Sequence, residues 1–64
     1  MTTNSELELK CLKIEAMVRA MVMNGVTDNR KLVDAVNNYY PPLSEWEQEM
    51  FSEAIIYAKH GVLN

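Results

Sequence analysis

The chain has 64 residues, six Lys and Arg against nine Asp and Glu, and a net charge of −3. That length sets one domain as the ceiling, and the single cysteine, Cys11, excludes an internal disulfide. Cys11 with the lone His60 falls short of a structural zinc site, and no run reaches the roughly 20 apolar residues that span a bilayer.

A domain this short buries only about 60% of the surface its unfolded chain exposes, so it needs a support. With disulfide and metal set aside, self-association is the leading one. Lys10, Lys13, Arg19, Arg30, Lys31 and Lys59 are scattered, with acidic residues close to most of them. A nucleic-acid binder normally gathers its basic residues into a patch, so direct nucleic-acid binding is not expected. The segment Met1–Glu6 shows no basic region followed by an apolar run, and a single thiol suits a reducing compartment. A cytoplasmic protein without membrane association is the expectation.

The first helix is expected over residues 6–24. Ser5-Glu6-Leu7-Glu8 has the form of a capping box, and Asn24-Gly25 supplies a left-handed stop. Glu6 with Lys10, and Glu15 with Arg19, stand four apart in the favourable order. A second helix, 28–39, takes Thr27 or Asp28 as its cap and sets Leu32, Val33 and Val36 on one face. Asp34 and Asn38 turn away. Pro41 drives Tyr40 out of helical backbone, so the helix stops by Asn38 or Tyr39.

The third helix, 45–60, opens on a second capping box, Ser44-Glu45-Trp46-Glu47. Trp46, Met50, Ala54, Tyr57 and Ala58 follow helical spacing, flanked by Phe51 and Ile55. Gly61 is the expected stop, with Lys59 and His60 near the negative end of the helix dipole. No segment alternates with a period of two. The fold class is all-α: one three-helix domain over residues 1–64, with a long first helix and two shorter ones.

The connector in NYYPPLSEWE gathers Tyr39, Tyr40 and Trp46 around both prolines. Two readings stand. The aromatics pack the corner between the second and third helices, or they form the anchor of a partner-binding surface, a role that suits Tyr and Trp. Ile56 is an outlying candidate for the same surface, because it falls among Glu49, Ser52 and Lys59 on a polar side.

The first helix carries the strongest pattern. At about 100° per residue, Leu7, Cys11, Ile14, Val18, Met21 and Val22 make one apolar stripe. Leu9, Leu12, Ala16, Ala20 and Met23 make a second on the opposite side, with polar strips between; Met17 lies in line with the strip of Glu6, Lys10 and Lys13. A helix apolar on two sides needs cover on two sides. Either the other helices straddle it, or Leu9, Leu12, Ala16, Met17, Ala20 and Met23 meet a second copy in a homodimer, the commonest closed assembly.

Nothing in the sequence calls for a cofactor, and no catalytic constellation is visible. Cys11 and His60 are the only conceivable thiol–imidazole pair, and Cys11 sits on an apolar stripe where burial makes a thiol inert. Gly25 and Gly61 are helix stops, with no phosphate-binding loop. The stretch MVMNGVTDNRKLVDAV has the rhythm of a helix-turn-helix. Met21 and Lys31, however, occupy positions that want a small and an apolar residue, and Asp28 and Asp34 would repel phosphates.

The layout of KIEAMVRAMVMNG, then VTDNRKLVDAV, then a Ser-led helix with EAIIYA, resembles the YmgB/AriR group of small enterobacterial regulators over roughly residues 12–58. The resemblance implies an all-α homodimer that serves as a connector in biofilm and acid-stress signalling by contacting other regulators. The expected function is a small, acidic, non-enzymatic regulator or inhibitor that binds another protein, such as a regulator or a nucleic-acid-binding protein. The alternative is a DNA-binding transcriptional regulator using Arg30 and Lys31 of the second helix. A structural subunit docked into a larger assembly is a third reading.

Overall fold

The computed structural model describes the backbone of residues 3–63 and the side chains of residues 5–63. It contains three helices, α1 (Thr3–Met23), α2 (Asn29–Tyr39) and α3 (Glu45–Leu63), and no strand among the described residues. α1, of 21 residues, is the longest; α2 has 11 and α3 has 19. The body is elongated, 37 × 18 × 15 Å.

The turns behave as local chemistry requires. Gly25 sits at φ +94, the left-handed region that favours glycine. Around it the Val26 amide donates to the Met21 carbonyl at 2.9 Å and the Gly25 amide to the Val22 carbonyl at 3.0 Å. This is the Schellman pattern, and Val26 and Met21 both pack on the core beside it. Of the two candidate caps of α2, Asp28 takes the role: its Oδ1 accepts the Arg30 amide at 2.9 Å. The helix ends before Pro41, with the Tyr40 amide still reaching the Val36 carbonyl at 2.7 Å.

At α3 the Glu47 amide donates to Ser44 Oγ at 3.1 Å, half of the expected capping box. The Glu47 carboxylate accepts instead from the Leu43 amide at 3.3 Å, one residue before Ser44. Two expected boundaries differ. α1 begins at Thr3, so Ser5 lies inside its first turn and is not its cap. α3 runs through Gly61 to Leu63, because Gly61 does not adopt positive φ and Val62 still packs on the core.

α1 and α3 run parallel: Lys10 Nζ lies 4.0 Å from Glu47 Oε1, and Arg19 shares a surface recess with Tyr57, Ala58, His60 and Gly61. α2 returns antiparallel to both, its start tied to the end of α3 by Lys59 Nζ donating to Asn29 Oδ1 at 2.8 Å. The core lies between the three. Ile14 and Val18 of α1, Leu32 and Val36 of α2, and Phe51 of α3 are fully enclosed, with Leu7, Val22, Ala54, Ile55 and Ala58 around them. Each large aliphatic or aromatic side chain there contributes about 1.5–3 kcal/mol by leaving water.

α3 presents a different face from the one its spacing first suggests. Phe51, Ala54, Ile55 and Ala58 turn inward, while Trp46 and Tyr57 stay exposed on the edge. The buried stripe is therefore rotated from the Trp46–Met50–Tyr57 line onto Phe51.

Candidate interaction surface

The first stripe of α1 is covered. Leu7, Ile14, Val18 and Val22 are buried, with Cys11 and Met21 half-buried beside them. The second stripe is not, because α2 and α3 both lie on the same side of α1. Leu9 is 53% exposed, Leu12 58% and Met23 76%, and Ala16 and Ala20 are exposed between them. The reading in which the shorter helices straddle α1 is thus not what the chain adopts. Met17 departs from its group: it is half-buried on the flank that faces α2.

Met17 and Ala20 share an open groove of about 530 Å³ with Met21, Ala35, Tyr39 and Tyr40. The structure therefore joins residues that the sequence places in two separate candidate surfaces. Tyr40 leans onto the core, whereas Tyr39 remains 70% exposed along the groove. The packed-corner reading of the aromatics holds for Tyr40 and not for Tyr39 or Trp46, which is 58% exposed.

Trp46 does not join Tyr39 and Tyr40 in that groove. Trp46, Met50 and Tyr57, spaced four and seven apart, line one edge of α3, and Tyr57 shares a surface recess with Arg19 of α1. By helix phase that edge borders the α1 stripe on the side away from α2. Tyr57, 72% exposed, and Leu43, 79% exposed in the connector, are surface residues that sequence reasoning missed. Helical spacing assigns Tyr57 to the core. For Leu43 the only signal is its position directly after two prolines. Ile56 lies on the outer face of α3, 53% exposed, in a small recess with Asn29, Lys59, His60 and Leu63.

Charges occupy the borders. Arg19 Nη1 is 3.6 Å from Glu15 Oε1 on the α3 flank of α1, the pair expected from spacing. Lys10 pairs with Glu47 of α3 and not with Glu6. Glu45, Gln48, Glu49, Ser52 and Glu53 surround an acidic depression on the first half of α3. Arg30 and Lys31 are exposed in the first turn of α2, directly after the capping Asp28.

Cys11 and His60 are not brought together. Cys11 is level with Glu47 near one end of the parallel pair, and His60 is beside Arg19, about 12 Å further along by helical rise. Burial pushes the Cys11 thiol above its ordinary value, and the carboxylates of Glu15 and then Glu47 push it the same way. No described helix is long and apolar enough to cross a membrane. No protein-family model, no curated protein and no solved structure matches the chain.

Proposed function

We propose that the chain is a small acidic regulatory or inhibitory protein, non-enzymatic and cytoplasmic, that acts as a homodimer by contacting another protein. The observation that carries this reading is the bare apolar surface on a single short fold. It comprises the outer stripe of α1 and, apart from it, the exposed Tyr39, Leu43 and Trp46 around the second connector. A stripe left open along a whole helix calls for a partner, and a second copy is the economical one. The connector surface then serves a different protein. The acidic depression on α3 stands one turn from Trp46, so charge would speed encounter with a basic site, such as that of a nucleic-acid-binding protein or a regulator. The resemblance to the YmgB/AriR regulators points to the same kind of activity.

The test is capture from an extract of the source cells on the immobilised protein, beside a Tyr39→Ala/Trp46→Ala variant. Both side chains are exposed, so circular dichroism should report an unchanged fold. A protein retained by the unmodified chain and lost from the variant is the expected result. Retention of the same proteins by both chains would remove the connector from the function.

A further inference from the structure

The outer stripe of α1 has a symmetry of its own. Leu9, Leu12, Ala16, Ala20 and Met23 are spaced three, four, four and three apart, so the spacing reads the same in both directions about Ala16. All are exposed. The geometry points to an antiparallel homodimer in which α1 packs on α1 of a second copy, with the two-fold axis passing beside Ala16. This inference rests on the homodimer reading above and adds the face and the direction of pairing.

An antiparallel second copy centred on Ala16 sets Leu9 level with the partner's Met23 and Leu12 level with the partner's Ala20. The two alanines at position 16 meet at the closest approach. Each layer beyond that centre then holds at least one large side chain, and the layers are the same on both sides of the axis. A parallel, in-register copy would place Leu9 on Leu9 and Leu12 on Leu12 at one end, and Ala20 on Ala20 further along. That leaves one end crowded and the stretch around Ala16 and Ala20 thin, which native packing density disfavours.

Charge decides in the same direction. Arg19 stands on the α3 flank of the stripe. A parallel two-fold pair sets the two Arg19 side chains level but on opposite flanks of the seam, each beside the partner's Met17 flank with no partner carboxylate near it. In the antiparallel pair the α3 flanks of the two copies adjoin, and Arg19 comes level with position 13 of the partner. The partner's Glu15 is then about 3 Å away along the axis and the partner's Glu8 about 7.5 Å, both on the adjoining flank. Each Arg19, 3.6 Å from the Glu15 of its own chain, so faces a second Glu15 carboxylate, which offsets the approach of the two Glu15 side chains to about 3 Å along the axis.

The stripe spans about 21 Å, too narrow alone for the roughly 800 Å² that each partner contributes to a standard interface. The two-fold supplies the rest, because it brings the Arg19–Tyr57 flanks together on one side and the Met17–Ala20 flanks on the other.

The test uses the full chain and cysteine variants in a Cys11→Ala background. Sedimentation of the unmodified chain across a dilution series establishes whether a dimer forms. Leu9→Cys and Met23→Cys chains, distinguishable by mass, are then oxidised with glutathione disulfide separately and mixed. The expected result is a disulfide dimer from Ala16→Cys alone and a mixed dimer from Leu9→Cys with Met23→Cys, with little product from either of the latter alone. Two cysteines at position 9 would lie about 21 Å apart, beyond bridging distance. A Leu9→Cys chain that links to itself would overturn the antiparallel direction and leave the homodimer intact. A dimer that links at none of these positions would overturn the α1 face, again without touching the homodimer. A monomer at every concentration removes both. Arg19→Ala gives an answer free of cross-linking: the antiparallel pair dissociates about two- to five-fold more readily, whereas a parallel pair, with its two Arg19 side chains on opposite flanks of the seam, is left unchanged.

Discussion

Lys10 Nζ lies 4.0 Å from Glu47 Oε1, and the same carboxylate oxygen accepts the Leu43 amide at 3.3 Å. One side chain therefore holds the connector at the entry to α3 and fastens α3 to α1. The ion pair is long and partly solvated, so the backbone contact is the larger contribution. Glu47→Ala is expected to cost about 1 kcal/mol, a fall in Tm of roughly 4–8 °C in a domain of this size. Glu47→Gln, which keeps an acceptor oxygen for the Leu43 amide, should recover more than half of that loss. Equal losses from the two variants in thermal denaturation would show that the charge, and not the acceptor, carries the contribution.

Two glycines with the same sequence signal should respond to alanine with opposite signs. Gly25 holds φ +94, so Gly25→Ala strains the backbone although nothing within 4 Å would meet the new methyl group. A loss of about 1 kcal/mol or more follows. Gly61 lies within α3 in open space at ordinary helical backbone, so Gly61→Ala is expected to stabilise by about 0.4–1 kcal/mol. Urea titrations of the two variants check the pair. A destabilised Gly61→Ala chain would mean that α3 ends before that position.

Much of this architecture is legible in the sequence because it is local. Asp28, Ser44, Gly25 and Pro41 each act within a few residues of their own backbone, and each does so in the fold. Ser5 and Gly61 carry the same type of signal without the same outcome, since helix continues past both. At Gly61 the reason is tertiary: Val62 finds core to pack on, which outweighs the local preference to stop. The buried face of α3 is likewise a tertiary matter. With apolar residues on several of its sides, its spacing alone allowed a Trp46–Tyr57 stripe, and contact with α1 and α2 selects Phe51. The outer stripe of α1 was readable because its period is clean over the fifteen residues from Leu9 to Met23. That Tyr39 shares a groove with Met17 was not, because it depends on the angle at which α2 recrosses α1.

Cys11 should behave as a slow nucleophile. Burial raises its pKa first, and the charges of Glu15 and Glu47 raise it further. The folded thiol then holds its proton to higher pH than the unfolded one. In stability terms, whatever this group contributes is fully present below the unfolded thiol's pKa and is lost as pH rises through the folded value. Alkylation by iodoacetamide is expected to be slower in the native chain than in urea, with its pH midpoint displaced upward. Glu47→Gln should move that midpoint part of the way back and leave the shares due to burial and to Glu15. A native midpoint at or below that of the unfolded chain would contradict this account.

Arg30 and Lys31 allow a direct test of the DNA-binding alternative. Both are exposed at the start of α2, but Asp28 caps the same turn and Asp34 lies one turn on. Electrostatic binding to duplex DNA would weaken steeply with salt, with a slope set by the number of phosphates neutralised. The expected outcome is no change in anisotropy of a labelled duplex, even at low salt, for a sample whose helicity is confirmed beside it. A salt-dependent signal that an Arg30→Ala/Lys31→Ala variant abolishes would reverse the assignment. The exposed start of α2 would then be a phosphate contact, and a dimer's two copies of it would set the spacing of the half-sites.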